Sequence, residues 1–182
     1  MRVLAVINPN TQTRECLSYY AHTLQHTERI ETNICDCLYE RNIVQKTHIR
    51  DTTSIMMGWV YEKRGETIEY GAQQFHHQMQ FVSEQETHEY LSSYRGAVSN
   101  IVISNREVKL WVGSRDGSID FPLYSYFGND DSLIISDSEE LLLGVKYSLG
   151  VEQKITYLKT DTLVTITKNS DQITLKTVEI KR

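Results

Sequence analysis

Apolar residues fall along this chain in short runs and alternations, with turn residues between them, and only three stretches keep a helical period. Val3 to Ile7 is a continuous apolar run that stops at Asn8-Pro9-Asn10, the pattern of a buried strand ahead of a turn. From about Thr13 to His26, Cys16, Leu17, Tyr20, Ala21 and Leu24 share one helical face. Ile30–Tyr39, Asn42–Arg50 and Ser54–Tyr61 read as strands. Ser83 and Glu86 have the spacing of a capping box, and Thr87, Tyr90, Leu91 and Tyr94 follow at i, i+3, i+4, i+7, which predicts a second helix. Hairpins are expected over Val98–Ile103 with Val108–Gly113, and over Leu123–Phe127 with Ser132–Ser136. A third helix is expected from about Ser138 to Tyr147, with Asp137 and Glu140 as its capping box. A closing hairpin joins Thr162–Thr167 to Ile173–Ile180. Many strands with few helices, in no βαβ alternation, predict an α+β layered protein.

Composition narrows the class. The 182 residues carry 19 Lys and Arg against 24 Asp and Glu, a net charge of −5 with no long basic run, which argues against nucleic acid or an anionic membrane as partner. With two prolines, and no repeat or linker, residues 1–182 read as one domain. No apolar stretch is long enough for a membrane helix, and the first residues are too short an apolar run for a signal peptide. The odd count of three cysteines, Cys16, Cys35 and Cys37, suits a reduced, cytoplasmic protein better than a disulfide framework.

The most specific segment runs from Gly96 to Gly144. It contains Arg115-Asp116-Gly117, then Pro122-Leu123-Tyr124, then Leu133 to Ser136 and Ser138-Glu139 opening a helix. In this order it resembles the class II glutamine amidotransferase (glutaminase) domain of the asparagine synthetase family, with its "R-D-x-x-G", "P-L-Y" and "S-E" motifs. Weaker likenesses extend over nearly the whole chain: Met1 to Val6 to the opening strand, Leu24-Gln25-His26 to the end of the first helix, Met57-Gly58 to "N-G", and Ser83 to Glu86 to "S-D-x-E". The resemblance implies a four-layer αββα sandwich of the N-terminal-nucleophile hydrolase type.

That family attacks the glutamine amide with an N-terminal cysteine thiolate, and Asn and backbone groups hold the oxyanion. The resemblance sets Met1 at the cysteine, and a thioether cannot serve as that nucleophile. It sets Met57 at the oxyanion Asn, leaving Gly58, and Glu84 at the Asp that binds the glutamine amino group. No catalytic residue is therefore assigned. Met57, Gly58 and Glu84 are the ligand-binding candidates, and Arg115 with Asp116 is read as a structural ion pair. The "S-G-G-x-D-S" loop of the family's ATP-binding domain does not occur in this sequence. Thr52 or Thr53, exposed by self-cleavage, would lack the Lys and Asp such a nucleophile needs, since the corresponding offsets hold Glu84 or Gln85 and Ile68 or Glu69. Cys35 and Cys37 could meet His48 or His76-His77 at a metal, but no second spaced pair supports this. His22 and His26 lack the H-E-x-x-H pattern. Neither metal nor cofactor is expected.

The leading expectation is an inactive glutaminase-like module that binds a protein partner or a second copy of itself. The first alternative is a non-hydrolysing binder of an amino acid or amide in the remnant pocket. The second is an amidohydrolase with a relocated nucleophile.

Overall fold

The computed structural model describes residues 3–24, 26–41, 45–64, 67–81, 84–114, 121–169 and 172–180. Two antiparallel sheets face each other. The first has the order β11 (Thr156–Tyr157), β9 (Tyr124–Phe127), β10 (Leu133–Ser136), β1 (Val3–Ile7), β3 (Cys35–Glu40), β2 (Thr27–Glu31). The second has the order β13 (Gln172–Glu179), β12 (Thr162–Asn169), β8 (Glu107–Ser114), β7 (Arg95–Ile103), β5 (Thr52–Arg64), β4 (Gln45–Ile49), and β6 (Thr67–Tyr70) pairs with the far end of β5. Helices α1 (Thr11–Thr23) and α4 (Glu139–Ser148) cover the outer face of the first sheet. The outer face of the second packs against α2 (Ala72–Phe81) and α3 (Glu84–Ser93). The expected αββα sandwich is the observed architecture.

Strand alternation explains why the central runs are apolar throughout. Along β1, Val3, Ala5 and Ile7 point between the sheets, while Leu4 and Val6 point at α1 and α4. Both faces are covered, so no position needs to be polar. Ile55 and Met57 of β5 likewise face the central layer, and Met56 and Val60 face Phe75, Met79, Leu91 and Tyr94 of the helices. Each aliphatic side chain buried this way contributes about 1.5–3 kcal/mol.

Several elements differ from expectation. The first helix starts at Thr11 because Asn10 caps it: Asn10 Oδ1 accepts from the Thr13 amide at 2.7 Å, and Thr13 Oγ1 from the Asn10 amide at 2.9 Å. It ends at Thr23 rather than near His26, since Leu24 has already turned to extended backbone. The single strand expected over Ile30–Tyr39 is two, β2 and β3. The fourth helix is capped by Ser138, not Asp137: Ser138 Oγ accepts from the Leu141 amide at 3.2 Å, while Asp137 Oδ1 accepts from the Val3 amide at 3.0 Å. Helix α2 was not expected at all, because Gln and His dilute its apolar positions. Ser83, expected to cap α3, lies outside the described residues.

Candidate functional site

The region to which the resemblance assigns a glutamine pocket lies where β1 begins. The start of β1 is pinned by β10, because Ser136 Oγ donates to the Val3 carbonyl at 2.7 Å and is itself the acceptor for the Ser138 amide at 3.1 Å. Opposite, in the second sheet, Met57 is 1% exposed and belongs to the same central layer as Val3 and Ala5. Its thioether is packed apolar bulk and offers no hydrogen-bond donor.

Gly58 follows with φ +108°, and Gly96 on the neighbouring strand β7 has φ +127°. Both values suit glycine alone. A Cβ on Gly58 would stand 2.1 Å from the Ala97 carbonyl oxygen, and one on Gly96 would stand 2.1 Å from that of Trp59. The pair lets β5 and β7 press together at this one point. The same Cβ on Gly58 would stand 3.0 Å from the ring of Phe121, which also packs edge-on against Trp59 with centroids 5.5 Å apart. Ser99, paired with Met57 across the strands, donates its hydroxyl to the Phe121 carbonyl and holds that ring in place.

A charged cluster closes the sandwich beside the start of β1. Tyr39, paired with Val3, donates its hydroxyl to Glu28, and Lys46 of the opposite sheet reaches the phenol oxygen at 2.6 Å and Glu28 at 3.5 Å. Arg41 Nε stands 3.3 Å from the other Glu28 oxygen. Burial, then the bond to Glu28, raises the phenol pKa; the hydrogen bond to Tyr39 raises that of Lys46; the bond from Tyr39 lowers that of Glu28. The cluster ties the first sheet to the second at this end.

Of the residues singled out from the sequence, Met57 and Gly58 are adjacent at this place. Glu84 is the first residue of α3, and its side chain lies outside the described residues, as do Met1, Arg115 and Asp116. Phe121, Ser99, Tyr39 and Lys46 were not singled out. Only Phe121 had a sequence signal, its place directly before Pro122-Leu123-Tyr124.

Thr52 and Thr53 stand within the chain at the β4–β5 hairpin, with Thr53 Oγ1 2.8 Å from His48 Nδ1. Cys35 and Cys37 both point into the central layer, fully buried, and burial raises both thiol pKa values. His76 is engaged elsewhere, its Nδ1 2.6 Å from Ser54 Oγ. Among the described residues no three His, Cys, Asp or Glu side chains are grouped to hold a metal. No described helix is long and apolar enough to cross a membrane.

The cavities walled by described residues include three. One of about 560 Å³ lies between α3 and the β12–β13 hairpin, lined by Gln85, His88, Glu89, Leu163, Val178 and Ile180. The others hold about 250 Å³ at the β4–β5 and β7–β8 turns and about 50 Å³ near the α1 cap. None of the three touches Met57 or Gly58.

No protein-family model and no curated protein sequence matches the chain. Solved structures do. An allosteric regulatory enzyme of purine biosynthesis superimposes with a TM-score of 0.60 over 97% of this chain and 48% of its own, at 9% identity. Glutamine phosphoribosylpyrophosphate amidotransferase from B. subtilis, complexed with ADP and GMP, superimposes with a TM-score of 0.58 over 97% of this chain and 49% of its own, also at 9% identity. The chain thus spans about half the length of these enzymes. Identity this low speaks for architecture alone: two facing antiparallel sheets between helix layers, the N-terminal-nucleophile fold of the class II glutamine amidotransferases.

Proposed function

We propose that this chain is a glutaminase-fold module that does not hydrolyse glutamine and acts, in the cytoplasm, by binding a protein. We infer its kinship with the asparagine synthetase branch from the order Arg115-Asp116, Pro122-Leu123-Tyr124, Ser138-Glu139. The observation that carries the binding role is the outer surface of the α1/α4 layer, where Tyr147 is 90%, Tyr19 65% and Leu143 53% exposed. Large apolar side chains gathered on one helix layer mark interaction surfaces. Inactivity is supported at the start of β1. The resemblance sets Met57, sunk in the central layer, at the oxyanion position and Met1 at the nucleophile position. A ligand in a remnant pocket would need open space over Gly58, and the Phe121 ring takes that space.

Two measurements test this reading. Incubation with glutamine, followed by glutamate assay, is expected to show no release above buffer, for the native chain and for Met57→Asn. A photo-crosslinking residue at Tyr147 is expected to capture a protein that the same residue at exposed Gln172 does not. Glutamate release by the native chain, or equal capture at both positions, overturns the proposal.

A further inference from the structure

We propose that α4 is the contact of a symmetric homodimer, pairing antiparallel with α4 of a second copy. This rests on the module reading above and names its partner. The buried side of α4 is Leu142, Val145 and, just past its end, Leu149. Directly opposite runs an exposed stripe of Glu140, Leu143, Gly144 and Tyr147, spaced i, i+3, i+4, i+7. The helix extends from Glu139 to Ser148, so its midpoint falls between Leu143 and Gly144.

A two-fold axis at that midpoint makes the stripe its own complement. Leu143 lies over Gly144 of the second copy, an apolar knob on bare backbone. Tyr147 lies level with Glu140 of the second copy, a phenol donor beside a carboxylate. On one flank Lys146 faces Glu139 of the second copy, and the same pair repeats across the axis. Antiparallel helices also set their dipoles in the favourable sense. Parallel pairing would instead put Glu140 against Glu140 and Lys146 against Lys146, so the charges select one orientation. Gly144 itself fits this use. An exposed glycine in mid-helix costs about 1 kcal/mol relative to alanine. Here it leaves a notch bordered by Tyr20, whose hydroxyl would stand 3.0 Å from an added Cβ. Tyr19, edge-on to Tyr20 at 5.5 Å, extends the apolar border of the notch onto α1.

A contact of two helices is at the small end of specific interfaces, so the dimer is expected to be weak, with dissociation in the micromolar range. Analytical ultracentrifugation of the full chain from about 1 to 500 µM tests it, a range set by that affinity. The native chain is expected to pass from monomer to dimer mass. Leu143→Lys is expected to raise the dissociation constant roughly tenfold or more, because it removes the central apolar contact and sets two ammonium groups beside each other. The substitution keeps the helix, since the new side chain lies four residues after Glu139, and far-ultraviolet dichroism checks this. Glu139→Lys and Lys146→Glu are each expected to weaken the dimer, and the double variant to restore it. A native chain that stays monomeric over the whole range, or a dimer indifferent to Leu143→Lys, overturns the proposal. A monomer that still cross-links a different protein through Tyr147 overturns the homodimer and leaves the module reading standing. Glutamate release does the reverse.

Discussion

Beneath α1 the polar side chain held between helix and sheet is a carboxylate; beneath α2 it is an imidazole with neutral partners. Asp36 of β3 is fully buried. Arg29 of β2 meets it with two nitrogens, Nε at 2.7 Å from Oδ1 and Nη2 on Oδ2. Arg14 of α1 comes within 3.5 Å and also bonds Glu31 and the Thr32 carbonyl. In the second sheet Ser54, Asn100 and His76 are 0, 0 and 2% exposed. Asn100 Nδ2 donates to Ser54 Oγ and to the Ile55 carbonyl, both at 2.8 Å, and Ser54 Oγ is hydrogen-bonded to His76 Nδ1 at 2.6 Å. Strand position accounts for the difference. β2 is the edge of its sheet, so both guanidinium groups keep about a third of their surface in water, Arg29 at 29% and Arg14 at 31%, while the carboxylate stays dry. β5 and β7 are central strands with neighbours on both sides, and a charge there would have no route to solvent.

The largest effect should come from breaking the charged side. Arg29→Met leaves the Asp36 carboxylate buried with only the more distant Arg14 for company. A loss of about 3–4 kcal/mol is expected in urea denaturation. Arg14→Met should cost clearly less. Equal losses would mean that the Asp36–Arg29 geometry is not what holds this corner.

The neutral side should show itself through acid. Burial pulls the His76 pKa down to about 4, from an ordinary value of 6.5. The unfolded chain therefore takes up a proton on His76 below about pH 6.5 that the folded chain refuses until about pH 4. This contribution to stability is complete above pH 6.5, drains away as the pH falls towards 4, and is flat below. The fall amounts to about 3 kcal/mol for a shift of this size. Denaturation midpoints from pH 7.5 to 4 measure it, and His76→Gln should flatten the curve in that window. A native and a variant curve of the same slope would show that His76 is not the group responsible.

A milder cut within the neutral network is Ser54→Ala, which strips His76 Nδ1 of its partner and Asn100 of one acceptor. The expected cost is about 1–2 kcal/mol.

These two polar clusters also mark where the sequence stops being legible. The strands β1 and β10 were readable because burial on both faces leaves an unbroken apolar run over Val3–Ile7 and over Leu133 to Ile135. Helices α1, α3 and α4 showed their period, and α2 did not, because the side that meets β5 carries a histidine among its few apolar residues. Asp36 gave no sign of its burial. It sits in Cys35-Asp36-Cys37 as any strand acid might, and its partners lie 7 and 22 residues away. The candidate site divides the same way. The resemblance points to Met57-Gly58, but Ser99 and Phe121 act on them only through the pairing of β5 with β7 and a separation of 22 residues. Local pattern reports which face is buried. It does not report which distant side chain fills the space.

The smallest effect concerns how α1 and α4 begin. Asn10 serves α1 in both directions, accepting from the Thr13 amide at 2.7 Å and offering its own amide to Thr13 Oγ1 at 2.9 Å, and its Nδ2 also donates to Asp130. Ser138 makes one side-chain bond to α4, at 3.2 Å. Glu139 and Glu140 in the first turn of α4 lie near its positive end and already favour the helix, whereas α1 has no acidic residue in its first turn. The cap thus matters more where charge does not assist. Asn10→Ala is expected to cost about 1 kcal/mol or slightly more, and Ser138→Ala about 0.5 kcal/mol. Raising the salt concentration should widen the gap left by Ser138→Ala, because screening weakens the two glutamates that had compensated for it, and should leave the Asn10→Ala loss unchanged. Paired thermal melts at low and high salt give both numbers. The reverse order would show that first-turn charge is not what supports α4.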